Sequence, residues 1–141
     1  MDDQPGLSDQ YRMSSPWPLF VALGFALSEL GIFLALVPLS VGGLLLFTGS
    51  IAGIIREAGY TEQPWGTLGI LGLILVVLGG ILVATQVSTA SVDAVSSLLM
   101  GIFTNRPNGI VVRGVSIVFA GVIAFIGGQT AQYMGSDVDA L

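Results

Sequence analysis

A chain of 141 residues of which 53% are hydrophobic, 9% charged and 20 glycine carries far less charge than the roughly 25% usual in a soluble domain. Nine acids stand against four arginines, for a formal charge of −5, and lysine, histidine and cysteine are absent. These absences exclude a basic nucleic-acid footprint, thiolate and imidazole catalysis, disulfides, and histidine or cysteine ligands to haem, zinc or copper. The chain is therefore read as a non-enzymatic membrane domain with no cofactor or metal of its own.

Residues 1–16 form an acidic tail, with Asp2, Asp3 and Asp9 against Arg12. This is the reverse of the basic start of a secretory signal, and no cleavage is expected. The apolar stretch from Trp17 to Ile55 would be about 58 Å long as one helix, nearly twice the hydrocarbon thickness, so it must fold back. Pro38 marks the expected turn, which places helix 1 at 17–37 and helix 2 at 39–55. After the polar loop Arg56 to Gln63, Pro64 and Trp65 open helix 3, expected at 65–85. Within it, Gly66, Gly69 and Gly72 follow no strand and so do not form a nucleotide-binding loop. Asp93 and five hydroxyl residues interrupt 89–104, which reads as an amphipathic helix lying at the interface. Pro107 then ends a turn before helix 4 at 110–131, and 134–141 is an acidic C-terminal tail.

The predicted fold is thus all-α, with a four-helix transmembrane domain over 17–133. Four crossings put both termini and the Arg56 to Gln63 loop on one side, called side A. Arg12 and Arg56 fall on side A, Arg106 and Arg113 on side B, so the positive-inside rule sets no orientation. Tyr11, Trp17, Tyr60, Trp65 and Tyr133 all lie near side A, where amphipathic rings anchor a span at headgroup level.

Every span carries a face of small residues: Gly24, Ser28, Gly31 and Ala35 in helix 1, and Gly42, Gly49 and Gly53 in helix 2. Helix 3 has Gly69, Gly72 and Gly79, and helix 4 has Gly114, Gly121 and Gly128 at seven-residue intervals. Such faces let backbones approach closely in lipid, where no hydrophobic effect drives helices together. They predict packing within the bundle, against another subunit, or both. Glu29 is the only acid within a predicted span, thirteenth of about 21 residues and near the bilayer centre, where an ionised carboxylate costs about 2.5–3.5 kcal/mol. Arg113 is its one internal candidate partner, at a depth differing by about 7 Å. The two side chains lean toward opposite sides, which favours a neutral carboxyl bonded to a neighbouring hydroxyl or carbonyl. A contact with a partner subunit or a water-filled proton path would also accommodate it.

The segment Gly6-Leu-Ser-Asp-Gln-Tyr-Arg-Met-Ser-Ser-Pro-Trp-Pro-Leu-Phe20, with the hairpin that follows and Arg56-Glu-Ala-Gly-Tyr60, resembles a family of small haloarchaeal membrane proteins. They are encoded beside haem–copper terminal oxidase genes and described as cox cluster proteins. The resemblance covers about the first 65 residues and implies a multi-pass protein of the cell membrane of a halophilic archaeon, beside the respiratory oxidase. An acidic, lysine-free composition fits such a habitat, because at molar salt the Debye length is about 3 Å and acidic tails scarcely repel one another. Lacking histidine and cysteine, the chain is neither the haem-bearing nor the dinuclear copper subunit. The implied role is an accessory subunit in respiratory electron transport, partnered by the other oxidase subunits and by membrane lipid. An oxidase assembly factor and a self-associating channel or carrier are the competing roles.

Overall fold

The computed structural model describes residues 14–87, 91–102 and 108–139. Among them there are five helices and no strand: α1 Trp17–Phe33, α2 Val37–Glu57, α3 Pro64–Ala84, α4 Val92–Gly101 and α5 Gly109–Asp139. Three of these, α2, α3 and α5, are long and apolar enough to cross a membrane, while α1 is an apolar helix of 17 residues.

The first bend differs from the sequence expectation. Helix 1 stops at Phe33 rather than at 37, and Pro38 lies inside the first turn of α2 instead of forming the turn. Proline has no N–H to donate, and the first helical turn asks for none. The bend is made by Leu34 to Leu36. Ala35 adopts a left-handed backbone with φ 55°, its N–H donates to Ile32 O, and Leu36 N–H donates to Gly31 O at 2.7 Å. This is a Schellman ending with alanine where glycine is usual. Helix α2 ends in the same way, with Gly59 at φ 88°, Gly59 N–H donating to Arg56 O and Tyr60 N–H to Ile55 O.

Helix α3 keeps its expected place. The N-terminus of α4 is capped by Ser91, whose Oγ accepts from Ala94 N–H at 3.2 Å, and none of its residues is buried. The ends of the expected interfacial segment at 89–90 and 103–104, like tail residues 1–13, lie outside the described residues. Helix α5 begins where Asn108 Oδ1 accepts from Ile110 N–H at 2.9 Å. It runs to Asp139 rather than stopping at 131, so most of the expected C-terminal tail is helical; no proline follows Pro107, and one glycine, at about 1 kcal/mol, does not end a long helix.

The helices pair as two antiparallel hairpins, α1 with α2 and α3 with α5, joined mainly where α2 meets α5; α2 also touches α3, and α1 only grazes α5. Both seams are built on glycine. A Cβ on Gly24 would stand 2.5 Å from Phe47 N and one on Gly43 would stand 2.7 Å from Gly24 O, while one on Gly31 would fall against Ser40. In the second hairpin Gly121 faces Gly72 O at 2.5 Å, Gly79 faces Gly114 O at 2.6 Å, and Gly128 faces Gly69 N at 2.7 Å, each distance measured to a built Cβ.

The result is inverted burial. No buried residue among those described is larger than valine, the set comprising only Gly, Ala, Ser, Thr and Val. Leucine, isoleucine and phenylalanine cover the outside, with Leu23, Phe25 and Phe33 on α1 and Ile70, Leu73 and Val77 on α3 among the exposed positions. Of the buried hydroxyls, Ser28, Thr48 and Ser50 donate to their own helix at Phe25 O, Leu44 O and Leu46 O over 2.6–2.8 Å, so these three enter the seams without needing cross-helix partners, whereas Ser40 and Ser116 find no partner among the described residues.

Candidate functional site

Two features could carry function: a cavity at one end of the bundle and an ion pair toward the other. The cavity forms because the hairpins bring four helix ends together. Trp17 comes from the start of α1; Gly49, Ala52, Gly53, Arg56 and Glu57 from the second half of α2; Pro64, Trp65 and Leu68 from the start of α3; and Met134 and Gly135 from α5. Glu62 and Gln63 of the connecting loop complete a space of about 900 Å³, within the range of small-molecule sites. Its mouth is charged. Its far wall is glycine, alanine and leucine.

Local contacts hold this wall in shape. The Trp17 indole lies over Gly53, where a Cβ would come within 2.6 Å of the ring, and meets Phe20 edge-on with centroids 6.2 Å apart. Arg56 Nε–H donates to the carbonyl of Glu62 at 3.2 Å, tying the end of α2 to the loop. Gly49 does not pack against any of the described residues. Its spacing places it in a packing face with Gly53, yet a Cβ there meets nothing within 4 Å, because Gly49 opens into the cavity. Gly42 is likewise open, and Ala35 lies beyond the end of α1.

The expected anchor residues gather at this end. Trp17 and Trp65 line the cavity, while Tyr60 and Tyr133 are 85% and 72% exposed on its outside. Sequence reasoning treats Arg56 to Gln63 as a plain polar loop and misses its part in the cavity. The available signal is that three charged residues, Arg56, Glu57 and Glu62, lie in this loop and Trp65 follows it directly.

The ion pair overturns the favoured reading of Glu29. Arg113 clasps its carboxylate in a fork, Nη1 to Oε1 at 2.5 Å and Nη2 to Oε2 at 2.7 Å, with the side chains 41% and 37% exposed. The expected depth mismatch vanishes because α1 ends early. Glu29 is four residues from the end of α1 and Arg113 four residues from the start of α5, so each lies about 6 Å inside the same end of the bundle. The long arginine stem and its planar two-donor head span the remaining gap. The pair joins α1 to α5, which otherwise scarcely touch. Nearby, Asn108 Nδ2 donates to Gln86 Oε1 at 2.9 Å, tying α3 to α5 at that end. Among the described residues no three carboxylates cluster in a way that would hold a metal ion.

Inward glycine seams, outward leucine and phenylalanine, and helices of spanning length define an all-helical protein of membrane type. The family of unknown function DUF7541 matches residues 1–134, and the chain belongs to that family. No curated protein and no solved structure matches it.

Proposed function

We propose that the chain is a four-span accessory subunit of a haem–copper terminal oxidase in the cell membrane of a halophilic archaeon, contributing packing surface rather than chemistry. The observation that carries this reading is the inverted burial: glycine and serine occupy the seams, and the large apolar side chains face outward. Such an exterior suits lipid and other spanning helices, whereas water would leave it uncovered. The fourth span is α1, whose 17 residues cover about 25 Å and meet the lower limit for a crossing. The resemblance in residues 6–20 and 56–60 supplies the partner, and the absence of histidine and cysteine supplies the non-catalytic role.

Co-purification tests the proposal. An affinity-tagged chain should follow haem absorbance through detergent chromatography at a fixed ratio. Recovery with immature, haem-poor complexes alone would make it an assembly factor, and migration alone as a homo-oligomer would make it a channel or carrier; either result overturns the accessory role.

A further inference from the structure

We propose that the end cavity binds one membrane amphiphile with a zwitterionic head, a phosphate beside an amine, and an apolar chain directed into the bundle. Along α2 the lining runs from Glu57 at the mouth to Gly49, eight residues or about 12 Å of helix rise. Over that distance it changes from charged to apolar. Arg56, Glu57 and Glu62 stand at the polar end; Gly49, Ala52 and Leu68 stand at the other. A ligand polar at one end and apolar at the other matches this gradient.

The head is specified by unspent charge. Arg56 uses only Nε, on the Glu62 carbonyl, and its terminal amino groups, like the carboxylates of Glu57 and Glu62, enter no ion pair among the described residues. One cation and two acids around one mouth disfavour a purely anionic head, and the guanidinium disfavours a simple ammonium. A phosphate–amine head satisfies both signs: phosphate accepts from Arg56, and the amine lies between carboxylates and the faces of Trp17 and Trp65. No described residue fills the far end, where a Cβ on Gly49 would meet nothing within 4 Å.

The chain contains two tryptophans and both line this cavity, so intrinsic fluorescence reports on its occupant. The full chain is placed in nanodiscs of phosphatidylglycerol in which one lipid in ten is phosphatidylethanolamine with dibrominated chains, and quenching is compared with dibrominated phosphatidylglycerol. A tenfold preference raises occupancy from about a tenth to about a half, so the zwitterionic lipid should quench severalfold more. Gly49→Phe, which fills the far end, and Arg56→Gln, which removes the phosphate donor, should each abolish the excess while helicity is unchanged; if Gly49→Phe does not fold, Arg56→Gln decides. Free glycerophosphoethanolamine, lacking chains, should not relieve the quenching. Equal quenching by the two lipids, or an excess that survives Arg56→Gln, overturns the site. The inference rests on the chain's spanning a membrane, as proposed above, and not on the oxidase or the host cell. Failure of the chain to insert into nanodiscs refutes that setting, whereas insertion without lipid preference refutes the site alone.

Discussion

Ala35 is a single residue on which the first hairpin turns. It takes a left-handed conformation at φ 55° that costs an L-residue with a Cβ about 1–2 kcal/mol. Ala35→Gly should therefore raise the thermal midpoint in detergent, with a gain of about 1 kcal/mol at most because glycine also loosens the unfolded chain. Gly59→Ala, at φ 88°, should lower it by a similar amount; a loss at Ala35→Gly or a gain at Gly59→Ala would contradict the Schellman geometry. At the other end of the bundle, Glu29 and Arg113 act as one unit. Glu29→Leu leaves Arg113 without its carboxylate and should destabilise more than the double change Glu29→Leu with Arg113→Leu. The coupling from a double-mutant cycle should be roughly 0.5–3 kcal/mol, toward the lower part of that range because both groups are partly exposed. Additive effects would mean that the fork contributes nothing.

At the scale of the helix, identical residue types carry different duties. Gly121 sits where a Cβ would meet Gly72 O at 2.5 Å and Val76 N at 2.7 Å, backbone atoms that cannot move aside. Gly121→Leu should separate α3 from α5 and lower the thermal midpoint, at a cost above the roughly 1–3 kcal/mol typical of overpacked cores. Gly49→Leu should leave the thermal midpoint unchanged or slightly raised, since a side chain there meets no packed neighbour and leucine gains up to about 1 kcal/mol over glycine in a helix. The two glycines are indistinguishable by spacing, since each lies in a regular small-residue row. Only the neighbour across the seam separates them, and for Gly49 that neighbour is a cavity. Gly53, one turn further along α2, shows the third case, since its partner is an aromatic ring.

For the whole molecule, convergence of four helix ends on one cavity places the start of α1, the α2–α3 loop and the end of α5 together. If all four helices cross a bilayer, those ends share a compartment. The chain has no cysteine, so single substitutions report cleanly: Ser14→Cys, Gln63→Cys and Tyr133→Cys should label from one side with an impermeant thiol reagent, and Asn108→Cys from the other. Labelling of Ser14→Cys together with Asn108→Cys would mean that α1 does not cross, leaving three spans.

The helical content, the order of apolar segments and the rows of small residues along them are legible in the sequence because they follow from local rules: apolar length and the spacing of glycines are properties of a segment by itself. Backbone polar groups in lipid must be satisfied within the segment, which leaves helix as the one choice for an unbroken apolar run outside a closed barrel. Which seam meets which, and at what offset, depends on where each helix ends. The shift of the first bend from Pro38 to Ala35 is enough to bring Glu29 level with Arg113, an alignment that the predicted spans disfavour. The cavity is likewise a property of four ends meeting and of no single segment. Composition determined the kind of protein; tertiary structure decided the ion pair and the site, because both join residues far apart in the chain whose distances are set only when the two hairpins pack.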